Sequence, residues 1–202
     1  VVNGTTNFVL TRMERDGLSL PDAVAEAQAL GFAEADPRAD LDGLDARAKL
    51  AILGSIGFGV HVRPTDVATR STSAIESVDI ENAALLGRSI RQIAWAERVE
   101  WADTTIRALV TPALVPQTSW LARLEGPQNA ICVRGDRSGD TVFVGQGAGG
   151  DATAVAVMSD VLAAAHAPAS PGAWPSEVAT VVAGLDVPHY IRVSRTPDRD
   201  HP

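Results

Sequence analysis

Apolar side chains recur every three or four positions near both ends of the chain, which is the spacing of one face of an α-helix. The predicted helices span residues 7–16, 20–30, 42 or 45 to 58, 79–86 and 151–165. Thr5 or Thr6 is the expected cap of the first helix, and Gly17 and Gly31 are expected to end the first two. The first third of the chain is therefore predicted to be mainly helical.

Strand-like runs occupy the middle of the chain, bounded by turn residues. The predicted strands span residues 90–99, 105–110, 120–124, 130–134 and 141–144. The last two flank a turn at 136–139 and should form a hairpin. Because helices come first and antiparallel strands follow, without βαβ alternation, the predicted fold class is α+β. It has N-terminal helices packed on a largely antiparallel sheet, followed by a C-terminal helix after a glycine-rich turn.

The composition beyond residue 166 predicts a domain boundary. Residues 167–175 are mainly Ala, Pro, Ser and Gly, as is typical of linkers. We predict one domain at 1–167, a linker at 168–187, and at 188–202 the remnant of a following domain or a tail. Both ends look like cuts through a longer protein. The first residues run straight into a helix, and the β-like run at 188–193 has no partner strand in the sequence.

Charge and cysteine content exclude several classes of function. A net charge of −8 and a pI of about 4.9 argue against a nucleic-acid or anionic-membrane surface, and no apolar run is long enough to span a membrane. The single cysteine, Cys132, cannot form an internal disulfide, and no Cys/His group has metal-ligand spacing. We therefore expect no bound metal and a reducing, cytoplasmic setting. Cys132 lies in an apolar run and is expected to be buried.

Lys49 is the only lysine in the chain, because the other 16 basic residues are arginines. A lysine ammonium can exchange a proton near neutral pH, and an arginine cannot. Lys49 follows Asp45 by one turn of a helix that is apolar on most other sides. We expect this helix to be deeply buried, with Asp45 and Lys49 at the rim of the core. Two interpretations are open: a proton-transfer group, or a surface ion pair that stabilises the helix by roughly 0.2–0.5 kcal/mol.

Five carboxylates fall within twelve positions ahead of Lys49: Glu34, Asp36, Asp40, Asp42 and Asp45. The cluster could bind a divalent cation, but it lacks the ligand spacing of an EF-hand, so no calcium-binding motif supports that interpretation. It could hold the ammonium of an amino-acid substrate through charge-assisted hydrogen bonds, or it could be a solvated loop, as charge runs often are. The nearby amine of Lys49 favours the substrate interpretation, since amino-acid redox chemistry needs both an ammonium site and a proton donor.

The glycine-rich segment 145–150 satisfies the pattern G-x-G-x-x-G between a strand and a helix. A complete dinucleotide-binding unit is disfavoured, because the preceding strand belongs to a hairpin and Asp151 would place a negative charge at the helix start. Two other interpretations are open. The glycines bring the backbone close to a ligand or another element, or they form a tight turn without a ligand.

Several motifs occur in a fixed order along residues 1–165: Asn-Gly-Thr-Thr-Asn-Phe at 3–8, Gly-Phe-Ala-Glu-Ala-Asp-Pro at 31–37, Asp-Leu-Asp-Gly-Leu-Asp at 40–45 with Lys49, Asn-Ala at 129–130, and the glycine-rich segment followed by Thr153, Val157 and Asp160. In this combination the chain resembles the catalytic region of homoserine dehydrogenases. That family oxidises L-homoserine to L-aspartate 4-semialdehyde, or catalyses the reverse, with NAD or NADP. The reaction belongs to the biosynthesis of threonine, methionine and isoleucine.

The resemblance implies a role for each matching residue. Lys49 falls on the catalytic lysine that exchanges a proton with the substrate oxygen. Substrate-binding positions fall on Glu34, Asp40, Asp45 and, through its backbone, Thr5; cofactor-binding positions fall on Gly149 and Gly31. The implied fold is a catalytic and dimerisation domain whose mixed sheet pairs across a homodimer.

The chain also departs from the family pattern. The nucleotide-binding domain, a second active-site lysine and a cation site, which precede this region in family members, have no counterpart in it. We therefore expect the cofactor to be bound mainly by a domain outside this chain, and the chain alone to be inactive. The competing hypothesis is a non-catalytic amino-acid-binding or dimerisation module from a truncated copy.

Overall fold

The computed structural model describes residues 1–99, 104–147, 149–166, 174–184 and 187–193. These residues contain six α-helices: α1 (Gly4–Asp16), α2 (Leu20–Ala29), α3 (Arg38–Leu41), α4 (Leu44–Phe58), α5 (Ser77–Leu85) and α6 (Gly150–His166). They also contain two 3-10 turns, Pro64–Asp66 and Trp120–Arg123. None of the described helices combines the length and the apolar character needed to cross a bilayer.

The strands form a main sheet and a separate hairpin. The main sheet contains β1 (Ala68–Thr69), β2 (Arg88–Arg98), β3 (Thr105–Pro116) and β6 (Thr180–Val182), and the hairpin consists of β4 (Gln128–Gly135) and β5 (Gly139–Gln146). β2 and β3 pair antiparallel over their whole length, with Ala94 opposite Val110. β1 and β6 pair parallel with β3. The α+β class and the mixed, largely antiparallel sheet are thus confirmed.

Two apolar clusters organise the helices around the start of α1. In the first, Leu50 and Ala51 of α4 pack with residues of β3 such as Ile106. In the second, α1, α2 and α5 pack on one another, with Leu10 of α1 fully buried. The residues around the start of α1 contribute to both clusters, Val2 to the first and Phe8 to the second. The N-terminus of α1 therefore lies where α4 meets the other helices.

Three predicted elements differ from the structure. The predicted strand at 120–124 is wrong: these residues form a 3-10 turn because the hydroxyl of Ser119 accepts a hydrogen bond from the amide of Ala122 and caps it. The strand predicted at 105–110 continues to Pro116, since β2 pairs with it along its whole length. The acidic stretch predicted as a loop contains α3, which begins directly after Pro37.

Burial was overestimated at two places. α4 packs on the sheet with one side only, so Ile52 and Ile56 on its other side are 50% and 68% exposed, and the prediction of a deeply buried helix is wrong. The prediction that Cys132 is buried is also wrong. It lies on β4, and the β4–β5 hairpin is covered only in part by the described residues. Both predictions inferred burial from the apolar character of the sequence. A side chain is buried only where another part of the protein covers it.

The chain after α6 contacts the main sheet and the N-terminal helices again. Within the predicted linker, β6 pairs with β3, and the backbone of His61 bonds to Glu177 and Ala179. Residues 187–193, called the C-terminal segment below, are not a strand in the structure. They are held by side chains: the Tyr190 hydroxyl and the Arg192 guanidinium both bond to Asp79 near the start of α5. The division into three parts stays a prediction.

Candidate active site

Asn3 joins the start of α1 to the acidic stretch. Its side-chain oxygen accepts a hydrogen bond of 2.8 Å from the amide of Thr6, so Asn3 is the N-cap of α1, and the expected cap at Thr5 or Thr6 is wrong. Its side-chain nitrogen donates to Asp40 Oδ1 at 2.6 Å and to Asp45 Oδ2 at 2.9 Å. Asn3 is only 4% exposed. One buried amide therefore caps the helix and holds two carboxylates together.

Lys49 lies one turn beyond Asp45 on α4, at the edge of the same group. Its ammonium contacts Asp45 Oδ2 at 2.8 Å and donates to the backbone carbonyl of Val2 at 3.1 Å. The side chain is 43% exposed, so the amine is fixed on one side and accessible on the other. This is the arrangement that proton exchange with a bound ligand requires, since the group must be both positioned and reachable.

The backbone around Asp40 is fixed by neighbours from two directions. Its carbonyl accepts hydrogen bonds from the Thr6 hydroxyl and from the Gln92 amide of β2. Gly43, between α3 and α4, has φ +75° and lies against the sheet, where a Cβ would be 3.0 Å from side-chain carbons of Thr69 and Val110. Glycine is therefore required at this junction for its conformation and for space. The junction sets the relative placement of Asp40 and Asp45.

The group formed by Asp40, Asp45 and Lys49 carries one excess negative charge, because two carboxylates face a single ammonium. Asn3 is neutral and stabilises the carboxylates only by hydrogen bonds. A ligand ammonium would balance the remaining charge. The electrostatics of this group thus favour a cationic ligand group, such as the amine of an amino acid.

Gly31 and Glu34 occupy the loop after α2, and Thr5 in the first turn of α1 contacts this loop. The Thr5 hydroxyl donates to the Phe32 carbonyl at 2.6 Å, which fixes this loop against the start of α1. Gly31 has φ +76° and follows the last turn of α2. A glycine in this conformation is the usual end of a helix, so its conformation does not require a ligand nearby. Glu34 is exposed, and its side chain is outside the hydrogen-bond network of Asn3. The structure therefore brings together Asp40, Asp45 and Lys49, with Glu34 and Gly31 at the periphery.

The remaining acids of the stretch are held by local partners. Asp36 forms a two-pronged contact with the guanidinium of Arg38, and this contact lowers the pKa of Asp36 to about 2. Asp42 accepts a hydrogen bond from the Ser71 hydroxyl at 2.7 Å. In the part of the chain that the structure describes, no three His, Cys, Asp or Glu side chains are grouped so that they could hold a metal ion.

An apolar cleft of about 270 Å³ opens beside the Lys49 ammonium. It lies between α4, the residues before α1 and β4, and it is lined by Val2, Lys49, Ile52, Leu53, Asn129 and Ile131. Val1 and Ala130 exchange backbone hydrogen bonds, which holds the chain start along β4. A mostly apolar cleft with a few polar groups at its edge is the usual form of a ligand site.

The glycine-rich segment begins at the same end of the β4–β5 hairpin, where Gly145 pairs with Asn129. A second cleft, of about 250 Å³, is lined by residues of both hairpin strands, among them Asn129, Ile131 and Gly145. Asn129 and Ile131 line both clefts. Gly149 has φ +114°, and Gly150 begins α6. The predicted turn into the C-terminal helix is thus confirmed, and the second cleft extends from the Lys49 cleft to Gly145 of this segment.

Sequence analysis missed three residues that form the site. Val2 supplies the carbonyl for Lys49, Asn129 lines both clefts, and Asn3 bridges the carboxylates. For Asn3 a signal was present, because asparagine directly before Gly-Thr-Thr at a helix start is a strong N-cap candidate. Asn129 belonged to the Asn-Ala motif at 129–130 but was given no role, and for Val2 the sequence carries no signal, since its contact with Lys49 spans 47 residues.

Comparisons with known proteins identify the family of this chain. A family model described as homoserine dehydrogenase matches residues 1–162. The homoserine dehydrogenase of Synechocystis sp. is 43% identical over 163 residues, which cover 80% of this chain and 38% of that protein. The crystal structure of a homoserine dehydrogenase from Thiobacillus denitrificans has a TM-score of 0.80 at 35% identity, and the match covers 91% of this chain and 44% of that one.

A hyperthermophilic archaeal homoserine dehydrogenase mutant, solved in complex with NADPH, has a TM-score of 0.64 at 30% identity; the match covers 82% of this chain and 46% of that one. The chain therefore spans about two fifths of the length of the curated relatives it matches. The family model covers most of the chain, and both the sequence and the fold agree with it. The chain belongs to the homoserine dehydrogenase family.

Proposed function

We propose that this chain is the substrate-binding and proton-transfer part of an NAD- or NADP-dependent enzyme that interconverts L-homoserine and L-aspartate 4-semialdehyde. The observation that carries the proposal is the position of Lys49. Its amine is held by Asp45 and Val2 at the edge of an apolar cleft, next to a site with one excess negative charge. An amino-acid alcohol needs both features, an ammonium site and a group that accepts the hydroxyl proton.

The proton moves between the substrate oxygen and Lys49. In the oxidising direction the neutral amine of Lys49 takes the hydroxyl proton, and in the reducing direction its ammonium returns a proton to the aldehyde oxygen. When bound, the nicotinamide cofactor accepts or supplies the hydride. Asp45 keeps the amine oriented through the 2.8 Å contact. The residues predicted to lie near the cofactor remain Gly149 and Gly31.

The two charged ends of the amino acid match different parts of the site. Asp40, Asp45 and Glu34 are the proposed partners of its ammonium. The amide of Thr5 belongs to the first turn of α1. The N–H groups of a first turn have no carbonyl of a preceding turn to bond to, and the helix dipole favours an anion there. The Thr5 hydroxyl is bonded to Phe32, so the backbone amide is its proposed contact with the substrate carboxylate.

A nicotinamide ring fits the residues that line the clefts. The apolar side chains of Val2, Ile52 and Ile131 suit the faces of the nicotinamide ring, which is uncharged in the reduced cofactor. The amide oxygen of Asn129 is buried and has no hydrogen-bond partner among the described residues. These features support the proposal that the clefts form one wall of a cofactor site. Because this chain spans about two fifths of its relatives, we propose that the other wall belongs to a longer protein, and we expect residues 1–202 alone to be inactive.

We also propose that the protein forms a homodimer through its main sheet. β2 is an edge strand within the described residues, since the strand order is β1, β3, β2. An edge of 11 residues is a template for pairing with a second copy. Size-exclusion chromatography with light scattering tests this proposal on the chain itself, and a monomer at micromolar concentration contradicts it.

The role of Lys49 is tested in the full-length protein with Lys49→Met and Lys49→Arg. Both variants should lower kcat by roughly 10²–10⁴-fold with a much smaller change in KM, because proton transfer typically contributes this factor. Lys49→Arg keeps the charge and the partner of Asp45 but cannot give up a proton. Arg63→Met is the matched control, because it also removes one positive charge and one helical-spacing ion pair, with Asp66.

Two results would contradict the proposal. Full-length protein that is folded but does not reduce NAD or NADP in the presence of L-homoserine contradicts the function. Near wild-type kcat in Lys49→Arg removes Lys49 from the proton transfer and leaves it as an electrostatic group only.

A further inference from the structure

Asn129 is a polar side chain whose amide oxygen finds no hydrogen-bond donor among the described residues. It lies near the start of β4, opposite Gly145 in the hairpin. Its amide oxygen is buried, and no described residue donates a hydrogen bond to it. A buried amide oxygen without a donor costs free energy, so such a group in a folded protein calls for an explanation.

The glycine-rich segment packs directly against this amide. A Cβ added at Gly147 would overlap the Asn129 amide nitrogen, so this position has no room for any side chain while Asn129 keeps its place. Gly147 and Asn129 therefore fit each other, and the amide is confined between the glycine backbone and the clefts. We attribute the need for glycine at 147 to this contact.

Asn129 is also the polar group that the two clefts share. The Lys49 cleft is walled by Val2, Ile52, Leu53 and Ile131, and the amine of Lys49 and the amide of Asn129 are its polar side chains. Its volume of about 270 Å³ is below the roughly 300–1,000 Å³ of pockets that enclose a whole drug-sized ligand. It therefore suits one ring of a larger ligand, with a polar substituent that reaches Asn129.

We propose that Asn129 is a specificity residue that binds the carboxamide group of the nicotinamide ring. This inference rests on the proposed function, which places a nicotinamide beside Lys49. Two primary amides are complementary, because each has one acceptor and an N–H donor. The carboxamide N–H supplies the donor that the Asn129 oxygen lacks, and the second torsion of an asparagine is broad enough for the amide to turn toward the cleft.

The test compares natural cofactor with its 3-acetylpyridine analogue, whose acetyl group keeps the carbonyl but has no N–H. Calorimetry on the full-length protein should show that the reduced natural cofactor binds about 2- to 12-fold more tightly than the reduced analogue, the range for one neutral hydrogen bond. In Asn129→Ala this ratio should fall to about 1, because the natural cofactor loses the hydrogen bond from its carboxamide N–H, which the analogue never makes. The measurement is an affinity and does not depend on turnover.

Asn129→Asp is the second variant, because it keeps the shape of the side chain while replacing its N–H donor by an acceptor and adding a negative charge. A carboxylate accepts the carboxamide N–H but repels the carbonyl of the analogue, so the ratio should rise above the wild-type value. Equal weakening of both cofactors in Asn129→Ala, or an unchanged ratio in both variants, overturns the inference and leaves Asn129 a structural residue. Absence of homoserine-dependent reduction with cofactor binding intact overturns the proposed function instead.

Discussion

Replacing Asn3 should separate its two tasks, since one atom of its amide caps α1 and the other bridges the carboxylates. Asn3→Ser keeps a capping oxygen but is too short to bridge Asp40 and Asp45. Asn3→Ala removes both. The two variants therefore measure the bridge alone and the bridge together with the cap.

The expected losses follow from the contacts. A lost N-cap costs about 1 kcal/mol. Hydrogen bonds to charged groups contribute about 1.5–3 kcal/mol each when buried. The Asp45 side chain is 34% exposed and keeps Lys49 as a partner, so we discount its bond. We expect Asn3→Ser to lose about 1–2 kcal/mol of unfolding free energy and Asn3→Ala about 2–3 kcal/mol.

Urea unfolding of the chain, followed by circular dichroism, measures both variants, and an unchanged slope shows that the denatured state is unaffected. Ser19→Ala is the control, because Ser19 caps α2 and its hydroxyl bonds only to Asp22 of the same helix, so its loss reports a cap and one local hydrogen bond without a bridge between distant residues. If Asn3→Ser is as stable as wild type within about 0.5 kcal/mol, the bridge does not contribute to stability. If Asn3→Ala loses no more than Ser19→Ala, the whole bridging argument is refuted.

Two further predictions concern ion pairs outside the site. The pKa of Asp36 is lowered to about 2 by Arg38, so the stabilisation from this pair is fully present above the ordinary value of 3.8 and is lost as the pH falls through about 2; a carboxyl titration by NMR should show this midpoint, and Arg38→Gln should return it toward 3.8. Arg192→Gln combined with Tyr190→Phe should release the C-terminal segment from Asp79 and raise its amide hydrogen exchange at least tenfold, with α5 unchanged because its capping contacts remain. An unchanged exchange rate would show that the segment is held by other contacts.

Helices and their ends were largely predictable from the sequence, because they depend on nearby residues. The glycine stop at Gly17 and the Pro-containing first turn of α2 are local signals, and both are confirmed. The pairing of Asp45 with Lys49 followed from their four-residue spacing on a helix. These features need only the helical period and standard capping rules.

The features that the sequence left open depend on distant parts of the chain. The bridge from Asn3 to Asp45 joins residues 42 positions apart, and no local pattern encodes it. The exposed side of α4, with Ile56, was predicted to be buried because its apolar residues carry no information about which partner covers them. The 3-10 turn at 120–123 was predicted as a strand because its residues favour strands, and the capping hydroxyl of Ser119 is a weaker signal in the sequence.

Gly43 gives the site an evolutionary constraint. Its left-handed backbone disfavours residues other than glycine, and a Cβ there would press on side-chain carbons of Thr69 and Val110, so a substitution requires those side chains to shift. Since the glycine sets the relative placement of Asp40 and Asp45, drift in the geometry of the acidic site requires compensating substitutions in β1 or β3. We therefore expect sequence change in the acidic stretch to fall first in the exposed loop that carries Glu34, which is outside the hydrogen-bond network of Asn3.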